Sequence, residues 1–198
     1  VKQAYSRLND QPINKKVSLY AIFGKSWSWA ANSELKFTHA CGSTVQTKRI
    51  STMPHPLLTQ GDIDAFQRDG VVLVKGLFAD HVETLRAGIA RNMNAPGPYA
   101  AENLKSGEAG RFFDDYCNWT RIPEFETVLR ESPAAAVAAD LMSTQRVQMF
   151  HDHILVKEPG TSKATPWHQD GPYYFVDGQQ NVSFWSPLDP VTEASLRC

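Results

Sequence analysis

The run RVQMFHDHILVK at 146–157 constrains this chain more than any other feature. It holds twelve residues without glycine or proline, and its alternation is that of a strand, in which side chains two apart share a face. On that spacing Val147, Met149, His151, His153 and Leu155 fall on one side. Gln148, Phe150, Asp152, Ile154 and Val156 fall on the other. EPGTSK (158–163) stops the strand, and WHQDGPYYF (167–175) and NVSFWSPL (181–188) read as two more, joined through an Asp177-Gly178 turn. A strand this long needs partners, so a sheet is expected late in the chain.

Helical signals come earlier. Thr59 with Asp62 resembles a capping box, Ile63 and Phe66 give a buried stripe, and Gly70 sits where a helix stops. VVLV (71–74) reads as a short buried strand. Asp80 with Glu83 reads as a second capping box, before a helix carrying Val82, Leu85, Ile89 and Met93. NAPGPYAAEN (94–103) is loop, and Pro123 and Pro133 each suit the first turn of a further helix. Helices first and strands afterwards is the order of an α+β protein.

Charge divides the chain unevenly. Residues 1–52 hold eight Lys and Arg against two Asp and Glu, whereas 53–198 hold twelve against nineteen. The first methionine is Met53. The expectation is therefore that the native domain starts at 53 and that 1–52 is an extension of doubtful origin, such as upstream read-through; within it KKVSLYAIF is an ordinary strand or noise. A formal net charge of −1 gives no electrostatic case for nucleic acid or an anionic membrane, and no apolar run approaches the ~18 residues of a membrane span. A small-molecule partner is the default. Cys41, Cys117 and Cys198 show no CxxC spacing, which indicates neither a disulfide framework nor a thiolate zinc site and fits a reducing, cytoplasmic setting.

The chemistry concentrates in PWHQDGPYYF (166–175). On a strand His168 and Asp170 converge on one face while Gln169 points away. An imidazole and a carboxylate so placed are two of the three ligands of a facial triad, which holds Fe(II) and leaves positions open for cosubstrate and oxygen. By itself the tripeptide is weak evidence, because short His/Asp spacings are common.

The wider chain adds context. DGVVLVKGLF (69–78), GRFFDDYCNW (110–119), HDHILVKEPG (151–160), PWHQDGPYYF and VSFWSPLDPVTE (182–193) follow one another in an order and spacing that resembles the phytanoyl-CoA dioxygenase family of Fe(II)- and 2-oxoglutarate-dependent oxygenases. The resemblance implies a double-stranded β-helix, or cupin-like jelly roll, with the N-terminal helices packed on one sheet. It implies that His168 and Asp170 bind Fe(II), that Gln169 and Trp185 help to hold 2-oxoglutarate, and that His153 lines the same site. Arg111 is the nearest match to a basic residue that often contributes. The reaction it implies consumes O2 and 2-oxoglutarate, hydroxylates a small organic substrate and releases succinate and CO2. Relatives that halogenate replace the carboxylate, so Asp170 favours hydroxylation.

Plainer roles stand beside these. Trp185 on an alternating strand would bury much of its area in the core, Gln169 would satisfy backbone, His151 and His153 would be wall histidines, and Cys117 would be simple packing. Lys157 would be a strand-end lysine with its head in water. The family's second iron histidine and its carboxylate-binding arginine have no match up to ASLRC (194–198), while His39, His55 and His81 lie in regions that the family does not use for iron. The expectation is that 53–198 is the N-terminal portion of an oxygenase domain whose final strands are missing, inactive in this form. Two alternatives are an inactive or repurposed jelly-roll binding module, and a cupin-like metal protein using His151, His153, His168 and Asp170.

Overall fold

The computed structural model describes residues 53–161, 163–166, 168 and 180–190, and the backbone alone of 16–24, 28–29, 46–48 and 176–177. Its helices are α1 (Gln60–Asp69), α2 (Val82–Asn94), α3 (Pro123–Glu131) and α4 (Ala134–Leu141). The strands are β1 (Lys16–Gly24), β2 (Ser28–Trp29), β3 (Gln46–Lys48), β4 (Ala101–Glu102), β5 (Phe112–Tyr116), β6 (Arg146–Lys157), β7 (Val176–Asp177) and β8 (Asn181–Pro187). This is the expected α+β composition. The predicted strand at 167–175 falls outside the described residues except for His168.

Local chemistry explains the helix ends. Thr59 Oγ1 accepts from the Asp62 amide at 3.1 Å while Asp62 Oδ2 accepts from the Thr59 amide at 2.8 Å, so the first capping box forms as expected. Gly70 takes a left-handed conformation, φ 73°, that lets its N–H reach Phe66 O. The second box does not form. Phe78 is buried edge-on against Phe184, a 3-10 turn follows at Ala79–His81, and α2 begins from His81 without a side-chain cap. Asp80 is thereby held inside the turn, ahead of the position a cap occupies. Pro123 opens α3 as expected, whereas Pro133 stands as the N-cap of α4, one residue before its first turn.

The main sheet is antiparallel in the order β4-β5-β6-β1-β8, and β3 also pairs with β6; β2 and β7 form a separate ribbon. The segment set apart by its charge thus supplies β1, which lies between β6 and β8. VVLV forms no strand. It runs extended, with Val72 and Val74 packed on the core and Val71 and Leu73 54% and 46% exposed, because sheet pairing requires a neighbouring backbone and none of the described strands lies alongside it.

The faces of β6 differ from the simple alternation. Ile22 pairs with His151 but Phe23 pairs with Met149, so Phe150 is an extra residue, a β-bulge. One inserted residue reverses the side-chain parity on either side of it. Val147 and Met149 therefore join Asp152, Ile154 and Val156 on the face buried against the helices, while His151, His153 and Leu155 face the other way. The core lies between that buried face, with Phe113, Val182 and Phe184, and Leu85, Ile89, Phe125, Val128, Val137 and Leu141 of the helices. At Gly88 a Cβ would come within 2.5 Å of the Phe125 ring, which sets how closely α2 and α3 approach. No helix among the described residues is long and apolar enough to cross a membrane.

Candidate functional site

The face of the sheet turned from the helices carries the polar residues. Along β5, Asp115 points into the core, so Asp114 and Tyr116 point outwards. Tyr116 pairs with His153, His153 with Tyr20, and Tyr20 with Trp185, which places these four residues in one row across four strands. Val182 and Phe184 are buried in the core, so Trp185 shares the open face with His153, two strands or ~10 Å away. Trp185 is 37% exposed rather than mainly core, because alternation along β8 gives the buried positions to its neighbours.

His153 does not stand alone. Its Nε2 lies 3.2 Å from Asp114 Oδ2, and Asn103 Nδ2 donates to Asp114 Oδ1 at 2.6 Å. A carboxylate can only accept, so Nε2 carries a proton and the imidazole is held in one orientation. Partial burial works against the charge of Asp114, yet the hydrogen bonds from His153 and Asn103 prevail and hold its carboxyl below the usual carboxylate range. The Tyr116 ring meets His153 edge-on at 5.6 Å and stacks on Tyr99 at 5.0 Å, while burial and the nearby Asp114 charge push its phenol up.

Behind this face the β5–α3 turn is fixed by buried polar groups. Asp152 accepts from the amides of Asn118 and Trp119, both at 3.0 Å, and Asp115 accepts from Asn92 Nδ2 at 2.8 Å and the Gly97 amide at 2.7 Å. The turn places Cys117 at φ 62°. Cys117 is disulfide-bonded, which corrects the expectation that the cysteines carry no bridge. Motif spacing such as CxxC reveals only partners near in sequence, so a bridge of another kind leaves no such sign.

The loop after β6 leads to His168, whose Nδ1 lies 2.7 Å from Pro166 O. A carbonyl cannot donate, so Nδ1 holds a proton, and in the neutral ring the lone pair is then at Nε2. That is the tautomer in which a histidine ligates a metal through Nε2 with its other nitrogen hydrogen-bonded to backbone. Asp170 and Gln169 lie outside the described residues. Among the described residues no three His, Cys, Asp or Glu stand together as a metal site, which applies also to a set of His151, His153 and His168. His168 thus fits a metal by its tautomer, and a complete donor set is not assembled from described residues.

Two further residues lie elsewhere than expected. The Arg111 guanidinium pairs with Glu102, at 2.5 Å, and lies 5.1 Å over the Phe113 ring, a core residue, so the structure does not bring it to His153 and Trp185. Lys157 is not a solvated strand-end lysine. It is 8% exposed, with its Nζ donating to Thr165 Oγ1 at 2.9 Å and Lys163 O at 3.2 Å, because residues 163–165 lie across it. Sequence reasoning passed over Asp114, Tyr116, Tyr99 and Asn103. The alternation of FFDDY was visible, but which of its faces met His153 depends on the register between β5 and β6.

The frame is a helix-backed antiparallel sheet whose open face gathers histidine, carboxylate and aromatic side chains. Residues 66–195, about two thirds of the chain, match the family described as phytanoyl-CoA dioxygenase (PhyH), and the chain belongs to that family. No curated protein and no solved structure matches it significantly.

Proposed function

We propose that this is a domain of an Fe(II)- and 2-oxoglutarate-dependent dioxygenase that hydroxylates a small organic substrate and releases succinate and CO2, on a sheet of jelly-roll type. The observation that carries the reading is the family match, whose span covers every residue given a role here. In this reading His168 holds iron through Nε2, and Asp170, two residues on, is the carboxylate ligand. Iron held there would supply the redox chemistry that couples decarboxylation of 2-oxoglutarate to substrate hydroxylation.

The chain's own residues supply position and environment. Trp185 and His153 would border the cosubstrate on the open face, with Gln169 beside them. Asp114 keeps the His153 ring turned in one direction, so the wall it forms is preorganised. The Tyr116 ring, stacked on Tyr99, would stand beside His153 at one edge of that wall. The substrate is read as small because a net charge of −1 offers no attraction for nucleic acid or anionic lipid.

The test is to supply Fe(II), 2-oxoglutarate and O2 and to measure succinate. Oxygen-dependent succinate that disappears in His168→Ala supports the reading. Fe(II) binding in folded wild type that His168→Ala leaves unchanged points instead to a binding module that keeps the fold without the chemistry.

A further inference from the structure

Lys157 is an unusual place for a charge. It is the last residue of β6, paired with Phe112 on one side and Lys16 on the other, so its backbone is fixed inside the sheet. Burying an ammonium costs several kcal/mol unless its N–H groups are met. Here they are met by the loop that follows: Thr165 Oγ1 at 2.9 Å and Lys163 O at 3.2 Å, with the Phe112 ring 4.4 Å from Nζ.

The two halves of that loop are held differently. The first half is fastened to Arg111 O, which accepts from the Glu158 amide at 2.8 Å and from Thr161 Oγ1 at 2.9 Å. The contact requires glycine at 110, where φ is 81° and a Cβ would come within 2.6 Å of the Thr161 amide nitrogen. Among the described residues, the second half, 163–166, is reached by the buried Lys157 ammonium and by an exposed bond from Lys163 Nζ to Asn103 O. Next along the chain comes Pro166, whose carbonyl accepts from His168 Nδ1. A continuous set of contacts therefore runs from the sheet through Lys157, Thr165 and Pro166 to the imidazole.

We propose that Lys157 is a positioning residue for His168: its ammonium fixes the 163–166 segment, and so the Pro166 carbonyl, in the place that keeps the His168 proton on Nδ1 and presents Nε2 to a metal. The proposal rests on the reading of His168 as the iron ligand for its purpose, but its geometry can be tested apart from that reading. Arginine can keep the charge and donate to the same two oxygens, whereas methionine keeps the stem and loses every donor.

The experiment is nitrogen NMR of histidine-labelled full chain at a pH well above the imidazole range, with Lys157→Met, Lys157→Arg and Thr165→Val, alongside titration of each with Co(II). Wild type is expected to show the Nδ1–H tautomer at His168. Lys157→Met should move it to a mixture of tautomers, Thr165→Val should move it less in the same direction, and Lys157→Arg should restore it in part. Co(II) affinity should fall with the tautomer, about tenfold in Lys157→Met, the lower end of what loss of a supporting contact does to a metal ligand. An unchanged His168 tautomer in folded Lys157→Met overturns the proposal. Should that variant fail to fold, an unchanged tautomer in Thr165→Val overturns it equally. If Co(II) binding is the same in wild type and His168→Ala, the iron reading fails instead, and the tautomer still decides what Lys157 does.

Discussion

The two faces of the sheet are made by the same strands and treat carboxylates in opposite ways. On the helix face Asp115 and Asp152 are fully buried, and backbone amides meet both of them. On the open face Asp114 is half-buried and is met by two side chains, His153 and Asn103. A carboxylate answered by backbone amides is committed to the fold, because the chain must unfold to release it. One answered by side chains can exchange them for a ligand at the cost of a rotamer. The first face holds its carboxylates as part of the fold, and the second leaves Asp114 within reach of exchangeable side chains.

Truncation tests that division most strongly. Phe125 is fully buried and touches the space left by Gly88, so Phe125→Ala should lower the unfolding free energy by about 3–5 kcal/mol in urea titration. Tyr116→Phe on the open face keeps the stack on Tyr99 and should change it by less than ~1 kcal/mol. Equal losses would mean that the open face is as much core as the other.

The faces should also differ in the sign of their pH dependence. Burial pushes the Asp152 carboxyl up to about 6, outweighing the amides of Trp119 and Asn118 that favour its charge. The folded protein therefore holds a proton that the unfolded chain, with its ordinary value of 3.8, releases earlier. Stability from this group is full below that value and is lost as pH rises towards 6, by roughly 2–3 kcal/mol over the window. Asp152→Asn should remove that slope in urea midpoints taken from pH 4 to 7. Asp114 has the opposite sign: its depressed carboxyl contributes stability at neutral pH that is lost as pH falls below the ordinary range. Asp114→Asn should leave the pH 4 to 7 slope in place and blunt only the acid loss. Parallel slopes in the two variants would erase the distinction between the faces.

How much of this was legible in the sequence follows from the range of each interaction. The Thr59 cap, the Gly70 stop, Pro123 and the long β6 are local, set by residues within a few positions, and the structure has them as expected. The bulge at Phe150 is not local; it exists only in the register between β6 and β1, and it altered which residues share a face. VVLV had the composition of a strand but lacks a described neighbour to pair with. His168 could be singled out from its spacing to Asp170, whereas Asp114 could not, since its meaning comes from His153 39 residues away. Lys157 was misjudged for the same reason. A lysine at a strand end reads as solvated until the loop that covers it is known.

The smallest effect separates the faces at their border. Glu102 and Arg111 form an ion pair with half of Glu102 in water, so Glu102→Gln should cost less than ~1 kcal/mol, and salt should reduce that further. Its value lies in what it releases. The Arg111 guanidinium rests over Phe113, whose ring belongs to the helix-face core, and the same alternation that sends Asp114 outwards keeps Arg111 with Phe113. If that position holds, freeing the guanidinium leaves 2-oxoglutarate affinity unchanged, as does Arg111→Ala, while His153→Ala weakens it. Tighter binding in Glu102→Gln together with weaker binding in Arg111→Ala would mean that the guanidinium exchanges Glu102 for the carboxylate of 2-oxoglutarate. The ion pair would then be the resting state of a recognition residue, and Arg111, just before β5, would belong to the open face.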